Sequence, residues 1–202
     1  EILSAAEEAQ MTAYVLNSGE KQKFGVVLSL YTGIRIGELC ALTWKDIDLD
    51  NQTITINKTL QRIADQERKG KTKVIIDSPK TKASDRCIPF PTALMPYLLS
   101  YKENSESLNS YVLTGVTRYI EPSNYYVKYQ KWLRESGIAK HSFHALRHTF
   151  ATRCIESGFD PKVLSEILGH SDVKITLSRY VHPSMEFKRV NMEKLSDVIN
   201  GQ

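Results

Sequence analysis

Apolar positions recur at helical spacing over most of the chain and predict a mainly helical protein. Ser4, followed by Glu7 at the capping-box spacing, indicates the start of the first helix. Gly33 and Gly169 stand where two apolar helices should end, since glycine often closes a helix. The predicted helices cover residues 4–17, 20–32, 36–43, 92–102, 122–136, 143–157, 161–169, 172–179 and 184–198.

A β-branched, alternating pattern replaces the helical one between residues 53 and 90. It predicts strands at 53–57, 73–77 and 86–90, joined by charged turns around Gly70 and over residues 80–85. Three short consecutive strands favour an antiparallel meander. The expected fold class is therefore mixed, mainly α, with a small three-stranded antiparallel β-sheet at roughly residues 53–90.

Composition places the chain among soluble globular proteins. Its 202 residues are 41% hydrophobic and 25% charged. The longest apolar stretch, Phe24 to Tyr31, is too short to cross a bilayer, which takes roughly 20 residues, so we expect no membrane partner. Cys40, Cys87 and Cys154 are odd in number and widely spaced, which argues against a disulfide framework and favours a reducing cytoplasm.

The net charge of +4 is concentrated near the middle of the chain. Residues 58–86 carry nine basic and four acidic side chains. Such a segment is either a solvated surface or a surface that faces phosphates. On the second interpretation these residues contact phosphate groups, in a manner that weakens with salt. The candidate contacts are Lys58, Arg62, Arg68, Lys69, Lys71, Lys73 and Lys82.

Two patterns resemble metal sites and fail on inspection. Asp46, Asp48 and Asp50 have the spacing of a calcium loop, but the sixth position is Asn51 and the twelfth is Asn57. Further on, H-A-L-R-H at 144–148 places two histidines on one helix face without the glutamate of the zinc protease pattern. The arginine within that run disfavours a cation and suits an anion, so we expect no metal.

Four short motifs follow one another along the chain. They are T-G-I-R-I-G-E at 32–38, H-A-L-R-H at 144–148, L-G-H at 168–170, and a tyrosine at 180. Alone, the histidine–arginine pair and the tyrosine are more often structural, and the first motif is as often structural as functional. Together, in this order and around a basic hairpin, they resemble the catalytic domain of the tyrosine recombinase (phage integrase) family from about Leu3 to about Leu195. The run from 168 to 182 is most similar to integrases of conjugative transposons and prophages of Gram-positive bacteria.

The resemblance implies a role for each motif residue. Glu38 would support the site, Tyr180 would be the nucleophile, and the catalytic lysine would be Lys80, with Lys82 as the alternative. Tyr180 stands ten positions after the L-G-H histidine, where many members have nine. The remaining implied catalytic residues, which bind the phosphate, are Arg35, His144, Arg147 and His170.

The implied activity is site-specific recombination of double-stranded DNA for a mobile element. Cleavage would pass through a 3′-phosphotyrosyl intermediate, without metal, ATP or any cofactor. Residues 1–183 would form the catalytic domain, and the N-terminal DNA-binding domains of the parent would lie outside this chain. The tail at 184–202 would be exchanged within a homotetramer on DNA or dock on its own core.

The free fragment is expected to be a monomer in the bacterial cytoplasm, associated with the nucleoid. Whether an accessory DNA-bending or excision factor joins the complex stays open. Two alternatives remain beside recombination. An enzyme of the type IB topoisomerase kind would relax supercoils without exchanging strands between duplexes. A catalytically silent DNA-binding module would be indifferent to the loss of the Tyr180 hydroxyl.

Overall fold

A computed structural model describes residues 2–65, 71–77 and 85–180. It also describes seven helical residues of the tail: Met185, Lys188, Arg189, Met192, Glu193, Leu195 and Ser196. The predicted turn at Gly70 and the candidate DNA contacts Arg68 and Lys69 lie outside the described residues. Both candidate lysines, Lys80 and Lys82, and the rest of the predicted helix at 184–198 lie outside them as well.

Helices dominate the described ranges, as the apolar periodicity predicts. They are α1 Ala5–Leu16, α2 Lys21–Thr32, α3 Ile36–Ala41, α4 Met95–Glu103, α5 Pro122–Glu135, α6 His144–Glu156, α7 Pro161–Leu168 and α8 Val173–Tyr180. Ser4 caps α1, and Glu7 closes the predicted capping box. None of these helices combines the length and apolarity needed to span a bilayer.

Two small antiparallel sheets lie between α3 and α4. The strands are β1 Ile47–Asp48, β2 Thr53–Ile56, β3 Thr59–Ala64, β4 Thr72–Asp77 and β5 Arg86–Pro89. One sheet has the order β1-β2-β5, and the other is the β3–β4 hairpin. The mainly helical class is confirmed, but the predicted meander is wrong. The strand at 73–77 pairs with β3, a strand that the sequence pattern did not indicate.

Helix α2 forms the centre of the core and packs against α6. Its residues from Phe24 to Leu30 are buried. The helix ends at Gly33, whose φ of 68° is left-handed. A Cβ atom there would lie 2.7 Å from Phe150 and 2.9 Å from Leu168. Because both the backbone angle and the space require glycine, the chain leaves α2 along one fixed path toward Arg35.

A second, smaller apolar cluster joins the last three helices. Ala151 and Cys154 of α6 pack with Leu164 and Leu168 of α7, and the ring of Tyr180 packs against them from α8. Helices α7 and α8 also contact each other directly. The candidate nucleophile is therefore held on the same face of the protein as the helix that carries H-A-L-R-H.

Candidate active site

Arg35 and Glu38 form a reciprocal contact at the start of α3. The Arg35 backbone N–H donates to Glu38 Oε2 and its Nη1 donates to Glu38 Oε1, both at 2.9 Å. The Arg35 side chain nevertheless stays 37% exposed. At Gly37, a Cβ atom would lie 2.8 Å from the Leu60 carbonyl, so glycine lets β3 approach this turn. Glu38, which the resemblance predicts to support the site, holds Arg35 through these two hydrogen bonds.

Arg147 is buried in the floor of the site, with 2% of its surface exposed. Its Nη1 donates to the Gly33 carbonyl at 2.8 Å, and its Nη2 donates to the Leu168 carbonyl at 2.5 Å. These carbonyls belong to the C-terminal ends of α2 and α7, where a helix dipole favours positive charge. Arg147 therefore fixes the two segments that carry Arg35 and His170.

The hydroxyl of Tyr180 contacts His148, not the predicted site histidines His144 and His170. Its hydroxyl and His148 Nδ1 are hydrogen-bonded at 2.7 Å. The rings of His148 and His144 stand edge to face, with centroids 4.4 Å apart. His170 Nδ1 is hydrogen-bonded to Thr176 Oγ1 at 2.8 Å, which leaves Nε2 free to meet an anion.

A cleft of about 440 Å³ opens between α3, β3 and the start of α6. Arg35, His144 and Arg147 line it, with Arg62 and Glu121 on the hairpin side. His170 and Tyr180 do not line this cleft and lie on its α7–α8 side. Three of the sequence-predicted residues, Arg35, His144 and Arg147, thus share one cleft, and His170 and Tyr180 lie beside it.

Burial, together with the positive charges of this region, lowers the pKa values of its histidines and keeps them neutral. Partial burial, then the charges of His148, Arg147, Arg35 and Arg179, lower the pKa of His144 to about 4. Partial burial and the same three arginines, together with Arg86, lower the pKa of His170 to about 4. Burial also lowers the pKa of Arg147, to about 9, so its guanidinium is charged at neutral pH.

Burial and the nearby positive charges act in opposite directions on the pKa of the Tyr180 hydroxyl. Burial raises its pKa and outweighs Arg147, Arg179 and Arg35, whose charges lower it. The hydroxyl is therefore protonated at neutral pH in the DNA-free protein. The charges that favour the phenolate are present, but desolvation is the larger effect.

Binding of a DNA phosphate, the anion that the family resemblance implies, should be coupled to proton uptake. A phosphate among His144 and His170 would raise both pKa values from about 4 toward the ordinary 6.5, so the bound state would hold more protons. We expect the affinity for a short duplex to rise roughly three- to tenfold from pH 7.5 to pH 5.5. Fluorescence anisotropy at constant ionic strength measures it.

Without DNA the same histidines act on stability in the opposite sense. Their folded pKa values lie below the unfolded value, so their contribution to the free energy of unfolding is full above about pH 6.5 and declines toward pH 4.

His141→Gln is a control for the binding experiment, because His141 lies against Glu7, away from the cleft. An affinity equally pH-dependent in the double variant His144→Gln/His170→Gln would contradict the prediction.

The candidate DNA-contacting residues fall in different settings. Lys58 is paired with Asp46 at 2.5 Å and donates to Thr43, so it is engaged within the protein. Arg62 lines the cleft and is paired with Glu121. Lys73 lies 3.7 Å from Asp65. Lys71 is exposed.

Sequence reasoning missed two residues of the site. His148 was considered only as a metal ligand, although its spacing from His144 placed it on the same helix face. Arg86, buried against Glu38, was treated as part of a basic strand. Its alternation with Ile88 and Phe90 was the available signal, because all three face inward. Among the residues described, no group of three or more His, Cys, Asp or Glu could hold a metal ion.

Solved structures identify the class to which this fold belongs. The integrase of transposon Tn1549 in complex with transposon right end DNA is similar with a TM-score of 0.75 and 27% identity, over 97% of this chain and 66% of that chain. The catalytic domain of bacteriophage HP1 integrase shares the fold, with a TM-score of 0.59 and 23% identity over 97% and 96% of the two chains. The fold is that of a tyrosine recombinase catalytic domain.

Sequence comparison then gives the family. Residues 1–186 match the phage integrase family, and the chain belongs to it. A tyrosine recombinase XerC-like protein of Caldanaerobacter subterraneus subsp. tengcongensis is 35% identical over 89% of this chain and 50% of its own length. The transposase from transposon Tn916 of Enterococcus faecalis is 28% identical over 96% and 52%. The chain thus spans about half the length of the curated relatives it matches.

Proposed function

We propose that this chain is the catalytic domain of a site-specific DNA recombinase that integrates and excises a mobile element. The observation that carries the proposal is the grouping of Arg35, His144 and Arg147 around one cleft, with Tyr180 beside it. The likeness to a transposon integrase in complex with transposon end DNA supports double-stranded DNA as the substrate. The similarity to the Tn916 transposase supports a conjugative element as the source.

In the proposed reaction the Tyr180 oxygen attacks a backbone phosphorus. Arg35 and Arg147 stabilise the negative charge that collects on the non-bridging oxygens, and His144 and His170 donate to the same oxygens. His148 already contacts the Tyr180 hydroxyl and, being neutral, can accept its proton. The 3′ side of the DNA becomes bonded to tyrosine, and the bond to the 5′-oxygen breaks.

The departing 5′-oxygen needs a proton, which we assign to Lys80, with Lys82 as the alternative. A 5′-hydroxyl from a partner duplex then attacks the phosphotyrosine and reverses the step. The number of phosphoester bonds does not change, so the reaction needs no ATP. Two guanidinium groups supply the positive charge that many phosphoryl-transfer enzymes obtain from a metal. The lysine supplies the proton for the leaving oxygen.

We further propose a homotetramer on DNA, held in part by the tail at 184–202. Three described apolar side chains of the tail, Met185, Met192 and Leu195, are 50% or more exposed. Exposed apolar groups on a helix favour burial against a partner. Exchange with a neighbouring subunit would couple cleavage to assembly, because Tyr180 lies just before the tail. The expected location is the bacterial nucleoid.

Covalent trapping tests the proposed reaction. The full-length protein that contains this domain is incubated with nicked duplexes bearing the element ends, so that the cleaved strand diffuses away. We expect an adduct that resists sodium dodecyl sulfate and whose mass maps to Tyr180. An absence of adduct, with binding to the same ends shown, would contradict the proposal and favour the silent binding module.

The second alternative is a topoisomerase, which shares the covalent step. Two labelled duplexes carrying element ends distinguish it, because only a recombinase joins a strand of one duplex to the other. Relaxation of supercoiled plasmid with no joined product would favour the topoisomerase.

A further inference from the structure

Arg86 is buried at the point where β5 begins. Only 6% of its side chain is exposed. Its Nη1 and Nη2 donate to the two oxygens of Glu38, at 3.1 and 2.9 Å, and its Nε donates to the Ile167 carbonyl at 2.7 Å. One side chain thus joins β5, α3 and the end of α7.

Glu38 consequently lies between two guanidinium groups. It accepts both Nη bonds of Arg86, and also the backbone N–H and Nη1 of Arg35. Burial raises the pKa of the Glu38 carboxyl, but Arg86 and then Arg35 outweigh it and hold the pKa below its usual value. The carboxylate is therefore ionised, and the three groups together carry one net positive charge.

That net charge determines how strongly the site attracts an anion. A guanidinium paired only with a carboxylate forms a neutral unit, which attracts an anion weakly. Here the buried Arg86 compensates the carboxylate, and the charge of the half-exposed Arg35 is left for the cleft. Glu38 can then orient Arg35 through hydrogen bonds without cancelling its attraction for a phosphate.

We propose that Arg86 is a positioning residue of the active site, which compensates Glu38 so that Arg35 presents its charge to a DNA phosphate. It also ties the α7 end, and hence His170, to β5, which follows Lys80 and Lys82 in the sequence. The inference rests on the proposed function in taking a phosphate as the anion.

Arg153 offers a matched control for a purely structural arginine. It donates to the carboxylates of Glu8 and Glu156 and to the Leu3 carbonyl. Like Arg86, it therefore makes two hydrogen bonds to carboxylate oxygens and one to a backbone carbonyl. These partners lie at α1 and the end of α6, away from the cleft. Arg153→Met should lower thermal stability without changing anion binding.

The test measures inorganic pyrophosphate binding from the imidazole shifts of His144 and His170, at a temperature where each variant is folded by circular dichroism. Arg86→Met should weaken binding about tenfold, because Glu38 then cancels Arg35. Adding Glu38→Gln removes the cancelling charge and should restore binding to within about threefold of wild type. Arg86→Lys keeps the positive charge and should bind pyrophosphate nearly as tightly as wild type. This variant still tests the proposal if Arg86→Met does not fold.

Several results would overturn the proposal. They are no binding by wild type, unchanged binding in Arg86→Met, no recovery in the double variant, and an equal loss in Arg153→Met. The covalent trapping assay, run in parallel, separates this inference from the proposed function. Charge-dependent pyrophosphate binding without any DNA adduct would leave the Arg86 inference standing and remove the recombinase proposal. With an adduct present, the Arg86→Met rate should fall about a hundredfold.

Discussion

Tyr180→Phe is expected to abolish the covalent DNA adduct and to leave the fold and DNA binding nearly intact. The substitution removes the oxygen proposed to attack phosphorus, so the cleavage rate should fall at least about a thousandfold. The ring still packs against the apolar cluster that contains Leu164 and Leu168. The lost hydrogen bond to His148 should cost about 1 kcal/mol of unfolding free energy. Single-turnover cleavage of a nicked duplex and thermal melting measure the two effects.

Tyr126→Phe is the matched control, since Tyr126 packs near Tyr129 on α5 and lies outside the cleft. We expect it to cleave at the wild-type rate. The chain has ten tyrosines, so adduct mapping must accompany the rates. An adduct in Tyr180→Phe at more than a few per cent of the wild-type yield would assign the nucleophile to another residue.

Local sequence signals predict helix ends well and strand pairing poorly in this chain. Gly33 and Gly169 both close helices in the left-handed conformation, with φ of 68° and 65°, as a single residue can dictate. Strand β3 reads T-L-Q-R-I-A and lacks clean alternation. It is stabilised by β4 across the turn and by its contact with α3, and such partners cannot be inferred from the strand itself.

In the candidate site, too, local motifs could be read from the sequence, but contacts between distant residues could not. Motif order along the chain predicted Arg35, Glu38 and H-A-L-R-H correctly as neighbours in space. The raised pKa of Tyr180 could not be predicted, because burial is a property of the assembled helices α6, α7 and α8. The bond between Arg86 and Glu38 joins residues far apart in sequence, and only strand alternation hinted that Arg86 faces inward.

Arg147→Met should lose both stability and cleavage, because Arg147 holds two helix ends together and is also the proposed phosphate ligand. The Gly33 and Leu168 carbonyls would lose their buried donor, at a cost of about 3 kcal/mol in unfolding free energy. Arg35 follows Gly33 by two residues, and His170 follows Leu168 by two, so both would lose their fixed positions. With the guanidinium charge also gone, the adduct rate should fall about a thousandfold at saturating DNA.

Arg147→Lys separates the two roles. An ammonium keeps the positive charge but lacks the planar fork that spans two carbonyls, so we expect a smaller loss of stability and still a strong loss of cleavage. Arg134→Met, on the exposed side of α5, should change neither quantity. Urea unfolding and single-turnover cleavage give both numbers for each variant. Wild-type stability in Arg147→Met would show that the two helix ends do not depend on this arginine, and wild-type cleavage would exclude it from the phosphate site.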